Sequence, residues 1–138
     1  MTPRVLDRGL AAAAALVALA TLLPTGRGWA WGSPVSELHW YATAWTSGTT
    51  TVQLLGNLAL LGPLAALAVL RWPALGSPRR LAAVALAAGT GIELLQWALP
   101  LGRVVSPLDA LLNATGAVAT GLLVVAMRDR VRAVPSAR

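Results

Sequence analysis

The sequence predicts an all-α polytopic membrane protein, a small bundle of four transmembrane helices with both termini inside, and three observations lead to it. The 138 residues are 57% hydrophobic and only 12% charged, whereas a soluble domain devotes about a quarter of its residues to charge. Four apolar stretches of spanning length, at about 9–24, 52–70, 81–101 and 107–127, are bounded by arginines, prolines and glycines. The arginines between them are distributed asymmetrically. With most of the chain committed to spans, residues 1–138 form one membrane domain, with no room for a soluble catalytic domain.

The first stretch is the shortest. Arg4 and Arg8 ahead of an alanine-rich run resemble the basic and apolar regions of a secretory signal. The segment Pro24, Thr25, Gly26, Arg27 lacks a small-x-small cleavage pattern, so a retained helix is the preferred reading and a cleaved leader the alternative. The loop at 25–51 carries Trp29, Trp31, Trp40, Tyr41 and Trp45, aromatics that favour the headgroup region, with a short interfacial helix expected near 36–45. In the second stretch Pro63 removes a backbone donor and is expected to kink the helix. Arg4, Arg8, Arg71, Arg79, Arg80, Arg128, Arg130, Arg132 and Arg138 fall on one side, and only Arg27 and Arg103 on the other. Positive charge is retained on the cytoplasmic side, so the arrangement expected is N-in, C-in.

Composition also excludes several kinds of chemistry. With no cysteine and the single histidine His39, the chain offers no thiol nucleophile, disulfide or metal cluster, and no cofactor or metal is expected. The arginine-rich tail satisfies the positive-inside rule and suits anionic lipid, and no nucleic-acid recognition motif accompanies it. Glu37 and His39 in the outer loop form a conceivable acid/base pair, although such loop residues are usually only solvated.

Polar residues within spans are costly and therefore informative. At 1.5 Å per residue from the outer ends, Glu93 lies roughly 12 Å deep, Asn113 roughly 9 Å, and Gln96 and Asn57 roughly 8 Å. Glu93 and Gln96 stand at i and i+3, and Gln53 and Asn57 at i and i+4. Ser106, Asp109, Asn113 and Gly116 follow at steps of three, four and three. Each set makes one stripe. Turned inward, the stripes would form an outward-facing polar pocket of Asn57, Glu93, Gln96, Arg103, Ser106, Asp109 and Asn113, with Arg103 paired to Glu93 or Asp109. The amides also read as interhelical glue, and Asp109 as the cap of the last helix. Gly89, Gly91, Gly116 and Gly121 suit close helix packing.

The set Glu93, Leu94, Leu95, Gln96, then Arg103, Ser106, Asp109, Ala110, Leu111, Leu112, Asn113, Gly116 and Ala117 resembles the signature of the VanZ-like family of bacterial membrane proteins. The earlier run from Asn57 through Gly62, Pro63 and Leu64 is similar to that family's helix carrying an Asn and a Pro-Leu step. The resemblance covers about 52–127. Leu61 stands where relatives often have Phe, and Ala65 where Gly is common. The resemblance implies a multi-pass protein of the bacterial cytoplasmic membrane. It also implies an association with resistance to glycopeptide antibiotics of the teicoplanin type.

Three functions follow as expectations. The first is a cell-envelope protein whose pocket binds a lipid head group, a lipid-linked wall precursor or an amphiphilic antibiotic. The second is an intramembrane enzyme acting on an envelope lipid, with Glu93 or Asp109 as acid or base and Arg103 holding phosphate. No HExxH, GxSxG or intramembrane histidine supports it, so the enzyme question stays open, leaning against. The third is a small proton-coupled exporter, which the strong arginine bias disfavours. Membrane lipids are the expected partners, and homo-oligomerisation is left open.

Overall fold

The computed structural model describes residues 2–133, so the tail arginine Arg138 lies outside the described residues. The helices are α1 (Pro3–Leu22), α2 (Pro34–Thr43), α3 (Gly48–Leu60), α4 (Gly62–Arg71), α5 (Pro78–Ala98) and α6 (Pro107–Ala133). Two three-residue strands, β1 (Trp29–Trp31) and β2 (Arg103–Val105), complete the set with a 3₁₀ turn at Pro73–Gly76.

Four helical units, Pro3–Leu22, Gly48–Arg71, Pro78–Ala98 and Pro107–Ala133, are long and apolar enough to cross a membrane. Leu16, Leu19, Val52, Leu55, Leu111 and Leu123 are all exposed along them. Such an apolar girdle suits lipid and would be a liability in water. The chain is a four-helix membrane bundle.

Local chemistry sets the boundaries. α1 begins at Pro3, six residues before the apolar run, because Pro suits the first helical positions and Arg4 and Arg8 lie in its opening turns. α5 stops at Ala98 rather than Leu101, because Pro100 drives Leu99 into extended backbone (φ −109°, ψ 131°). Within the second span the helix breaks at Leu61, two residues before Pro63, and restarts as α4 with Pro63 in its first turn. The expected kink therefore falls at Leu61, whose backbone stays in the α region (φ −90°, ψ −4°) so that the two segments form one span. The short helix expected near 36–45 is present as α2, starting two residues earlier at Pro34.

α6 is the central helix. A third of its apolar window is buried, against 11% for α1, and it packs on α3, α4 and α5 while α1 rests on α4 and α5. The core is small: Leu61, Ala65, Ala85, Ala114 and Ala117, flanked by Val17, Leu64, Ala88, Ile92 and Val118. Alanine and glycine dominate because close backbone approach substitutes for a hydrophobic drive that lipid does not supply. A Cβ on Gly116 would collide with the Leu58 carbonyl oxygen of α3, and one on Gly89 would lie 2.6 Å from the Ala110 carbonyl oxygen of α6. Gly121 meets the Leu81 side chain, whereas Gly91 faces open space and is not a packing glycine.

An element outside the all-helical expectation ties the loops together at the end of the bundle opposite the termini. β1 and β2 pair in parallel, Trp29 opposite Arg103 and Trp31 opposite Val105. Thr25 and Gly26 donate backbone N–H groups to the Leu101 carbonyl, and Gly102 donates to Gly28. At this crossing Gly102 has φ +70° and lies against Gly26, leaving no room for a side chain.

Gly116→Ala is expected to lower the apparent stability of the detergent-solubilised protein by about 1–3 kcal/mol through overpacking against α3. Gly91→Ala should leave it within about 0.5 kcal/mol. Paired thermal melts check both.

Candidate functional site

The site is built around the start of α6. Ser106 is fully buried, and its Oγ accepts the backbone N–H groups of Leu108 (3.1 Å) and Asp109 (3.2 Å). Ser106 is thus the N-cap, and Pro107 fills the first helical position, where no donor is needed. In a capping box the acidic residue at the third helical position would reach back to the cap's own N–H. Here Glu93 of α5 takes that N–H instead, with Ser106 N to Glu93 Oε2 at 2.7 Å. Asp109 is released from capping, and its Oδ1 accepts Asn57 Nδ2 from α3 at 2.6 Å. Of the two roles expected for Asp109, helix cap and member of the polar pocket, capping falls to Ser106, while Asp109 lines the cavity and bonds Asn57.

The Ser106 hydroxyl also donates to Glu37 Oε2 of α2. Glu37 reaches it by folding across Gly32, where any Cβ would collide with its carboxylate. Glu37 therefore turns toward the bundle rather than solvent, while His39 is exposed, so the two do not form an acid/base pair. Buried, capping two amides and donating to a carboxylate, Ser106 has no free path to act as a nucleophile.

Arg103 corrects an expectation. It does not pair with Glu93 or Asp109: its Nε and Nη2 donate to the Leu23 carbonyl, and Nη2 also to that of Ala20, at 2.9–3.3 Å. The carbonyls ending α1 lack intrahelical donors and carry the negative end of the helix dipole, and β2 holds Arg103 beside them. Gln96 Nε2 donates to the Thr21 carbonyl of the same helix at 3.0 Å. These bonds make the end of α1 part of the site's wall.

Asn57, Glu93, Gln96, Arg103, Asp109 and Asn113 line one cavity of about 600 Å³, with Gln53, Gly56, Thr21 and Thr25 among the other lining residues. Ser106 stands behind the wall. Asn113 is 1% exposed and its Oδ1 has no hydrogen-bond partner. A second cavity of about 570 Å³ opens between α5 and α6, lined by Leu86, Leu94, Val105, Pro107, Ala110 and Leu111 and flanked by Trp31 and Trp97. Glu93 lines both cavities. No group of three or more metal-ligating side chains occurs among the described residues.

Tyr41 and Glu37, both from α2, join the site without a periodic signal to announce them. The Tyr41 hydroxyl is enclosed near Gln53, Asn57 and Asp109 without a well-formed hydrogen bond to any of them. Its pKa is pushed up to about 12, by desolvation first and then by the charges of Asp109 and Glu37.

A family model for VanZ/LLP1 matches residues 10–128. The chain belongs to the VanZ/LLP1 family. The match takes in the end of α1, the loop that follows it and both cavities, so the resemblance seen in residues 52–127 extends over most of the chain. No curated protein and no solved structure matches the chain.

Two outcomes test this geometry. Ser106→Ala should cost about 1–2 kcal/mol of stability and remove hydrogen-exchange protection from the Leu108 and Asp109 amides. Tyr41 is the only tyrosine, so phenolate absorbance should half-titrate near pH 12. Removing a neighbouring negative charge with Asp109→Asn favours the phenolate and should move the midpoint down, toward 10.

Proposed function

We propose that this VanZ/LLP1 protein binds an amphiphile of the bacterial cell envelope, its polar head in the cavity of Asn57, Glu93, Gln96, Asp109 and Asn113. The reading rests on one observation: a polar cavity and an apolar groove of similar size share Glu93 as a common wall. A lipid, a lipid-linked wall precursor or a lipoglycopeptide of the teicoplanin type each joins a polar head to an apolar tail, and the paired cavities match that division. The arginine bias supports an outward-facing cavity and an N-in, C-in chain in the cytoplasmic membrane. Binding rather than turnover is favoured because the Ser106 hydroxyl is enclosed and Arg103 is directed at α1. Asn57, Glu93, Gln96, Asp109 and Asn113 would contact the ligand, with Ser106 and Arg103 positioning them.

Native mass spectrometry of protein loaded with envelope lipids or teicoplanin tests this. Retained ligand should fall about tenfold or more with Glu93→Gln in the polar wall. It should also fall with Leu111→Trp in the groove. Retention indifferent to both changes would contradict the reading.

A further inference from the structure

The charges at the two ends of the bundle are handled differently. Of the chain's five acidic residues, two lie at the end holding the termini and pair with arginine: Asp7 with Arg71 at 2.7 Å and Asp129 with Arg128 at 3.6 Å. The other three, Glu37, Glu93 and Asp109, gather at the opposite end, and among the described residues none makes an ion pair. Each is held by a neutral donor instead: the Ser106 hydroxyl, the Ser106 N–H and the Asn57 amide.

The hydrogen-bonding capacity left around Glu93, Asp109 and Asn113 includes three unpartnered acceptors. Several of the wall's donors bond the protein itself, Asn57 Nδ2 to Asp109, Gln96 Nε2 to Thr21, and Arg103 Nε and Nη2 to the end of α1, while the Gln53 amide and Arg103 Nη1 on the same wall make no side-chain hydrogen bond among the described residues. Among the described residues, no hydrogen bond reaches Glu93 Oε1 or Asp109 Oδ2. Asn113 lines the same cavity and is nine-tenths or more buried, with an unpartnered Oδ1. Around Glu93, Asp109 and Asn113 the cavity offers unpartnered acceptors and carboxylates without an ion pair, and a group seated between them is matched by donors and positive charge, while Arg103 and Gln53 supply donors elsewhere on the same wall.

Resting on the amphiphile reading above, we infer that the head group bound between Glu93, Asp109 and Asn113 is a protonated primary amine carried by a membrane amphiphile. An ammonium group has three donors and one point charge, matching two carboxylate oxygens and one amide oxygen. A phosphate-only or carboxylate-only head group would face like charge there.

The test uses the full chain in detergent and four lipids with identical dioleoyl tails, phosphatidylethanolamine, its N-acetylated form, phosphatidylcholine and phosphatidylglycerol, with retention read by native mass spectrometry. The amine-bearing lipid should be held about tenfold more tightly than its N-acetylated form. That preference should collapse in Asp109→Asn and in Glu93→Gln, two variants with separate folding risks, each checked by circular dichroism. Soluble phosphoethanolamine should compete poorly, and competition as strong as that of the lipid would overturn the membrane source. Equal retention of the amine and its N-acetylated form, with binding still blocked by Gly56→Trp in the cavity wall, would overturn the amine while leaving the amphiphile reading intact. Retention of none of the four lipids would overturn the amine, and if teicoplanin and a lipid-linked wall precursor are not retained either, the amphiphile reading falls with it.

Discussion

The hydrogen bond from the Ser106 N–H to the Glu93 carboxylate is the contact on which the rest of the site depends. A carboxylate within a membrane span is tolerated only where protein or water satisfies it, and this one is satisfied by the first amide of another helix's cap. The bond joins α5 to the start of α6 and fixes where α6 begins. By taking the place a capping acid would fill, it also releases Asp109 to bond Asn57 on α3. Three spans are thereby connected through side chains that a soluble protein would leave in water.

Loop geometry completes the wall. The parallel pairing of β1 with β2 places Arg103 over the last carbonyls of α1, and Gln96 adds a second tie to the same helix. These bonds draw the N-terminal helix, the least buried of the four spans, into the site. The terminal carbonyls of α1, satisfied by two distant side chains, form part of the site's wall. Gly32 and Gly102 permit the close crossings that bring α2 and its Glu37 over the top.

The spans were legible because each apolar run is long and charge-bounded, and the polar stripes because side chains three and four apart share a helix face. Asn57, Glu93, Gln96, Asp109 and Asn113 could thus be assigned to facing stripes without coordinates. Pro63 signalled the discontinuity at Leu61 through its missing N–H. Arg103 was misdirected because a carboxylate is an obvious partner for a guanidinium, whereas helix-end carbonyls become partners only through the β1–β2 crossing, which no periodicity announces. Glu37 and Tyr41 sit in a loop of mixed polarity, and their place at the site depends on long-range closure that spacing does not encode. The Gly32, Ser33, Pro34 run was the available local signal for α2, a small residue and cap ahead of a helix start.

The proposed function requires that the cavity of Asn57, Glu93, Asp109 and Asn113 reach water on the outer face of the membrane and favour cations there. The chain has no cysteine, and a Cβ at Gly56, on the cavity wall, meets nothing within 4 Å. The most direct measurement is therefore the labelling of Gly56→Cys in intact cells by membrane-impermeant methanethiosulfonates of opposite charge, with rates normalised to a free thiol and Gly91→Cys on the outer surface of α5 as control. Gly56→Cys should be modified from outside, faster by the cationic reagent than by the anionic one, while Gly91→Cys should not be modified. Absence of labelling at Gly56→Cys, or faster reaction with the anionic reagent, would contradict the proposed function.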